Sequence, residues 1–158
     1  MTDAPMQPHI HTATLADLPA VAQLFDAYRQ FYQYPSDLAL ASAYIAERLQ
    51  NGESVILLAR DGAGAALGFC QLYPTFCSLE AKPIYALYDL YVAPAARGAG
   101  VGNQLLLAAE QTARAHGMCR LDLTTAKTNT PAQAAYEALG WVRDELYFAY
   151  SKSVPTPD

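Results

Sequence analysis

The sequence predicts an α/β protein: a mixed central sheet with helices on both faces, in the element order βααβββαβαβ. Three observations carry this. Leu15, Leu18, Val21, Ala22, Phe25 and Tyr28 recur at the spacing of one helix face. Residues 54–60 form a short, continuous apolar run, as a strand covered on both faces requires. A glycine-rich segment, residues 97–102, separates a strand pattern from a helix pattern.

Taken in order, residues 10–14 alternate as a strand, and Thr14 with Asp17 forms a capping box that opens a helix running to about Gln33. Tyr34, Pro35 and Ser36 stop that helix and cap a second, which ends at Asn51 and Gly52. After the strand over residues 54–60, the residues Asp61 to Gly64 turn the chain into a partner strand over residues 66–73. A loop precedes a longer strand over residues 84–92, which Pro94 closes. The next helix is expected over residues 103–116, with Leu105, Leu106, Ala109 and Ala113 on its apolar face and Gly117 as its stop. Residues 119–125 read as a strand. Thr130 and Pro131 supply an N-cap and first helical residue, and Gly140 ends that helix before a last strand over residues 141–151. One domain over residues 1–152 and a disordered tail over residues 153–158 are expected, with no internal repeat.

Composition excludes several classes of function. With 158 residues, 53% of them hydrophobic, the chain can bury a core without disulfides or metals. Its net charge of -5 offers no basic field for a phosphate backbone, so nucleic acid is not expected as a partner. Residues 1–5 lack a basic region followed by an apolar run, and no segment approaches the roughly 20 apolar residues that span a bilayer, so neither a membrane nor export is expected. Cys70, Cys77 and Cys119 form no CxxC pair and are read as structural fillers of a cytoplasmic protein. His9 and His11 fall at the start of the first strand and His116 in the last turn of a helix, where an imidazolium suits the dipole; none is assigned to catalysis, and no metal site is expected.

The chemistry lies in the glycine loop. Gly98, Gly100 and Gly102 at a helix start let backbone N–H groups approach an anion, and Arg97 adds a fixed positive charge. The bland alternative is a glycine-rich helix entry. Asn103 stands where a dinucleotide fingerprint starting at Gly98 needs its third glycine, and the stretch from Val101 to Gln104 lacks the Lys-Ser or Lys-Thr pair of a P-loop.

Residues 88–103 resemble the coenzyme A segment of the GNAT N-acetyltransferase superfamily, whose signature Gln/Arg-x-x-Gly-x-Gly/Ala is filled by Arg97, Gly100 and Gly102. A second, independent segment of that family, an Asn before an Ala-x-x-x-Tyr helix ending in Gly-Trp or Gly-Phe, is matched by Asn129, Ala132, Tyr136, Gly140 and Trp141. The resemblance implies acetyl-CoA as co-substrate and transfer of its acetyl group to a primary amine by direct attack in a ternary complex. It implies a pantetheine arm along Leu90 and Val92, and a pyrophosphate on the amides of Arg97, Gly98, Ala99, Gly100, Val101, Gly102 and Asn103. It places Asn129 near the pantetheine and Tyr136 near the sulfur.

Direct transfer needs a neutral amine, an oxyanion donor and a proton for the departing thiolate. The amide of Leu90 or Tyr91 is expected to serve the oxyanion and the Tyr136 hydroxyl the sulfur. The residues alone also allow Tyr136 as a core aromatic and Asn129 as a turn residue before Thr130. A lysine-like amine is neutral only about once in 2,500 molecules at pH 7, a cost of roughly 5 kcal/mol, so a base is wanted. Asp89 is the best-placed carboxylate, its bland reading being an exposed or salt-bridged strand residue; Glu80, Tyr73 and Tyr85 are weaker candidates.

Within the family, residues 31–37 and 88–90 are similar to the diamine and polyamine branch. Those enzymes carry two adjacent acidic residues ahead of the Leu90 position, and Tyr88 stands here in place of the first. Tyr28, Phe31, Tyr32 and Tyr34, with Asp26 and Asp37 nearby, suit an aromatic, mildly acidic amine pocket, although Tyr28 and Phe31 fall on the apolar spacing and are expected in the core. The expected acceptor is a small amine or amino acid. Alternatives are a protein or peptide N-acetyltransferase and a non-catalytic coenzyme A-binding or regulatory module. A homodimer is possible by analogy with relatives.

Overall fold

The computed structural model describes residues 7–158 and falls into two compact units, one ending at Thr124 and the other spanning Thr125–Asp158. The reading of residues 1–5 lies outside the described residues.

The first unit holds a five-stranded sheet in the order β1 (His9–Thr12), β2 (Val55–Arg60), β3 (Ala66–Cys77), β4 (Lys82–Val92) and β5 (Leu121–Asp122). Pairings are antiparallel up to β4, and β4 with β5 is parallel, so the sheet is mixed as expected. Helices α1 (Leu18–Phe31) and α2 (Leu38–Asn51) precede β2, and α3 (Val101–Ala115) joins β4 to β5. Two neighbours on β3 show that the helices lie on opposite faces. The Phe69 ring meets the Phe25 ring of α1 at 6.4 Å, whereas a Cβ added to Gly68 would sit 3.4 Å from Leu105 of α3. That Cβ would also come within 2.7 Å of the Tyr91 carbonyl, so glycine is what lets β3 and β4 approach here.

On the α1/α2 face the core gathers Val21, Leu24, Phe25, Ala41, Ile45, Ile56, Leu58 and Phe69. Each fully buried Ile or Leu contributes about 1.5–3 kcal/mol relative to exposure. Thr14 opens the helical segment as expected, its N–H donating to Asp17 Oδ2 at 2.9 Å, but the first turn, Leu15–Asp17, is a 3-10 turn before α1 proper. Asp17 also meets Arg60 at 3.0 Å, and with the Thr14 amide as the largest cause its carboxyl sits below the usual range. Among the described residues no helix is long and apolar enough to cross a membrane.

The turn between α1 and α2 is built on a buried charge rather than on Ser36 as a cap. Asp37 caps α2, accepting from the Leu40 amide at 3.0 Å. Asp26, 7% exposed on α1, accepts from the Asp37 amide at 2.8 Å, Ser36 Oγ at 2.7 Å and Gln30 Nε2 at 3.1 Å. The Asp37 amide and then Ser36 hold the Asp26 carboxyl below its ordinary pKa, against burial. A carboxyl whose folded pKa is depressed adds stability above its unfolded value, lost as pH falls through the folded one. Asp26→Ala therefore costs about 1–3 kcal/mol in neutral urea titrations, with the gap to wild type shrinking as pH drops below the usual carboxylate range.

Two expectations about the sheet are corrected. The loop expected after residue 73 is a tight turn: β3 runs on to Cys77 and pairs with β4 down to Lys82, with Ala81 in the left-handed region at φ 53. Pro74 obscures this in the sequence because it has no N–H. It is tolerated because β2 pairing ends at Leu72 and, on the other side, its partner Tyr85 turns its own amide away to the Arg120 carbonyl at 3.1 Å. The strand expected over residues 119–125 shrinks to Leu121–Asp122.

In the second unit, α4 (Thr130–Ala138) is capped by Asn129, whose side chain accepts from the Ala132 amide at 3.3 Å, so Thr130 is the first helical residue rather than the cap. The strand expected over residues 141–151 is not formed. There Asp144 Oδ1 accepts from the Leu146 amide at 2.8 Å and the Tyr147 amide at 3.2 Å, taking two donors that a ladder would need.

Candidate active site

Strand β4 organises the site through one irregularity. Gln71 pairs with Asp89 and Leu72 with Leu87, which leaves Tyr88 as an extra, bulged residue. The bulge shifts the alternation of the strand. Tyr85 N–H points to the β5 side, to Arg120 O, yet Ala93 N–H points to the β3 side, to Leu67 O at 2.8 Å. It follows that beyond the bulge Leu90 and Val92 direct their amides to the β5 side, while Tyr91 directs its amide into the β3 ladder. Pairing of β4 with β5 stops at Ala86, so the edge from Leu87 to Val92 has no strand partner among the described residues. Of the two amides expected to serve an oxyanion, that of Leu90 faces the open edge, whereas that of Tyr91 faces β3.

On the α1/α2 side, Asp89 opens into a cavity of about 480 Å³ lined by Phe25, Tyr28, Arg29, Tyr44, Tyr73, Tyr88 and Asp89. Asp89 is 4% exposed, which sets aside the exposed-residue reading. Its orientation is fixed by a buried relay: Ser54 Oγ donates to Gln71 Oε1 at 2.8 Å, which turns Gln71 Nε2 to donate to Asp89 Oδ2. Burial pushes the Asp89 carboxyl up from the usual range, and the bond from Gln71, with the nearby Tyr28 hydroxyl as a smaller cause, pulls it partly back. Such a carboxylate, in an aromatic wall, is suited to hold an ammonium and take its proton.

The aromatic residues divide. Tyr28, expected in the core, is a cavity wall; its hydroxyl donates to the Tyr88 carbonyl at 3.3 Å and is kept protonated by burial first and Asp89 second. Phe31, also expected in the core, is 55% exposed. Tyr73 lines the cavity with its hydroxyl 2.6 Å from that of Tyr44, and burial raises its pKa. Tyr85 is buried and bonded to His116 Nδ1 at 2.7 Å, and Glu80 lies with Cys119 and Arg120; neither lines the cavity. Of the cysteines only Cys70 is a filler, its thiol pushed up to about 12 by burial, whereas Cys119 is exposed and Cys77 half-buried.

Further along β4 a second cavity, of about 270 Å³, is lined by Val92, Ala96, Arg97, Gly98, Gly100, Val101, Gly102 and Asn103. Gly98 at φ 82 and Gly100 at φ 80 need glycine, and Gly100 leads into the first turn of α3, whose leading amides carry the positive end of the helix dipole. Gly102 is not left-handed, and a Cβ there would find only ordinary contact with Val92 at 3.8 Å. Arg97 is fixed by donating Nε to the Val92 carbonyl at 3.0 Å and by lying 5.6 Å from the Tyr91 ring centroid and 5.9 Å from that of Phe31. These residues fit a pyrophosphate. Ala99 lies between the two left-handed glycines, exposed.

Asn129 and Tyr136 belong to the second unit, Asn129 as the cap of α4 and Tyr136 on that helix with its ring 6.1 Å from Trp141. Four site residues escaped the sequence reading: Phe25 as a wall, Arg29, Tyr44 and Gln71. Arg29 had a signal, the lone cation of its helix, next to Tyr28. Gln71 had none.

The model of the acetyltransferase (GNAT) family matches residues 20–141. The chain is 44% identical over 147 residues to the uncharacterized N-acetyltransferase YhfO of Bacillus subtilis, covering 93% of this chain and 98% of that one. It is 30% identical over 141 residues to the L-methionine sulfoximine/L-methionine sulfone acetyltransferase of Pseudomonas aeruginosa, covering 86% and 81%. A crystal structure of a probable acetyltransferase superposes with a TM-score of 0.87 at 38% identity, covering 94% of this chain and 99% of that one. With the bulged strand, the glycine loop and the sheet order already in place, these matches establish that the chain belongs to the GNAT family and is an acetyltransferase.

Proposed function

We propose that the protein transfers the acetyl group of acetyl-CoA to the primary amine of a small molecule, by direct attack with both substrates bound. The observation that carries the reading is the buried Asp89 carboxylate on the same strand as Val92, where the loop cavity begins. The two positions are about 10 Å apart along an extended strand.

Acetyl-CoA supplies the activated carbonyl carbon. The amides of the loop from Arg97 to Asn103 hold its pyrophosphate, and the unpaired edge at Leu90 and Val92 takes the pantetheine. Asp89 accepts the proton of the incoming ammonium, so that the nitrogen lone pair forms the new N–C bond as the C–S bond breaks. The Leu90 amide stabilises negative charge on the carbonyl oxygen, and the Tyr136 hydroxyl returns a proton to the sulfur, a role carried by the family resemblance. A cavity of this size with aromatic walls suits a small acceptor, and the Pseudomonas relative is by its name an enzyme that acts on one. The cytoplasm suits the free thiols Cys70, Cys77 and Cys119.

Isothermal titration with acetyl-CoA tests the loop assignment. Saturable binding that weakens with Gly100→Val is expected; no binding by the wild-type protein rejects it.

A further inference from the structure

We infer that the acceptor is an amino acid, recognised through its carboxylate by Arg29 while its ammonium faces Asp89. This rests on the proposed function and names the substrate class of the same cavity.

Arg29 and Asp89 both line the 480 Å³ cavity, so the space offers one fixed positive and one negative group within a wall of Phe25, Tyr28, Tyr44, Tyr73 and Tyr88. Arg29 Nη1 is buried and has no hydrogen-bond partner. A guanidinium nitrogen withdrawn from water and left unmatched is costly and calls for a partner, and in Arg29 the open side is a cavity that a ligand can fill. Among the described residues Arg29 takes part in no ion pair. Its nearest acidic neighbour on α1, Asp26, has its oxygens engaged by the Asp37 amide, Ser36 and Gln30. What positions the side chain is the Tyr34 ring, with the guanidinium carbon 5.3 Å from its centroid. Arg48 differs in its charge partners: it too has a buried nitrogen without a hydrogen-bond partner, Nε, and stacks on a cavity tyrosine, Tyr44, but its charge is matched by Glu47 at 2.8 Å and Glu53 at 3.3 Å.

A planar guanidinium binds a carboxylate through two parallel N–H donors, a geometry an amine or hydroxyl cannot reproduce. A polyamine presents several positive charges; it would bring one of them against Arg29 and find in Asp89 the cavity's single carboxylate. A zwitterion matches both signs at once, and the aromatic walls leave its side chain an apolar surround. An apolar or thioether side chain is therefore favoured.

The test pairs each amino acid with its decarboxylated amine: L-phenylalanine with phenethylamine, and L-methionine with 3-(methylthio)propylamine. In calorimetric titrations the amino acid of each pair is expected to bind at least tenfold more tightly, and with acetyl-CoA present its kcat/KM is expected to be about 10–100-fold higher. Arg29→Gln brings both ratios to within about threefold, chiefly by raising KM for the amino acid, while Arg29→Lys restores part of the preference; circular dichroism confirms that each variant is folded. Equal binding of both members by the wild-type protein, or a preference that survives Arg29→Gln, overturns the inference. Because binding is read without turnover, failure to bind acetyl-CoA overturns the proposed function and leaves this comparison to be judged on its own result.

Discussion

Replacing Asp89 with Asn lowers kcat/KM by about 10²–10⁴-fold, the usual range for loss of a positioned general base. The pH profile distinguishes this from a merely structural loss. In the wild type the rate rises with ionisation of Asp89, at an apparent pKa above the ordinary carboxylate value because burial disfavours the charged form. In Asp89→Asn that limb disappears, and the residual rate climbs about tenfold per pH unit through neutrality, following the free amine. Stability should move the other way. A carboxyl whose folded pKa is raised contributes stability below its unfolded pKa, and that contribution is lost as pH rises through the folded value. Where Asp89 is ionised its burial is thus a cost, and at pH values above its folded pKa the Asn variant should melt no lower than wild type. A variant that kept its activity, or lost it only by unfolding, would remove Asp89 from the mechanism.

Phe69→Ala has the largest expected effect on stability, about 3–5 kcal/mol. Phe69 has no exposed surface and stands between sheet and α1, edge-on to Phe25 at 6.4 Å and to Tyr28 at 6.1 Å. Its removal leaves a cavity under the helix that carries Tyr28 and Arg29. The urea midpoint falls while the slope stays constant. Leu79→Ala, at a residue 95% exposed, provides the control and should change the midpoint little. A small shift for Phe69→Ala would mean that the α1/α2 layer is not the core described.

How much of this was legible in the sequence depended on whether the signal was local. Thr14 with Asp17, Gly52, the turn on Asp61 and the glycine loop each act within a few residues, and each is found where the sequence puts it. The glycine loop was readable because a cluster of glycines at a helix start marks backbone at positive φ, as Gly98 and Gly100 adopt. The bulge at Tyr88 was not readable: nothing in its own neighbours announces it, and it arises from the register against β3. Yet it decides that Leu90 rather than Tyr91 turns its amide to the open edge. Asp89 was nominated from its strand position, but Gln71 and Ser54, which orient it, lie on other segments at separations that no periodicity reveals. Phe31 and Tyr28 misled for a simpler reason: both fit the apolar spacing of α1, but Tyr28 borders a cavity and Phe31 faces solvent. At the other end, Asp144 settles the matter by binding the amides that follow it, a competition that alternation of side chains does not register.

The most direct test of the whole account is to mix the protein with acetyl-CoA and L-phenylalanine, following free coenzyme A thiol and, by mass spectrometry, the acceptor. The account predicts thiol release that depends on the amino acid, with one acetyl group on its nitrogen per thiol freed. Thiol release that does not depend on an amine, or bound acetyl-CoA that no primary amine can discharge, would contradict it.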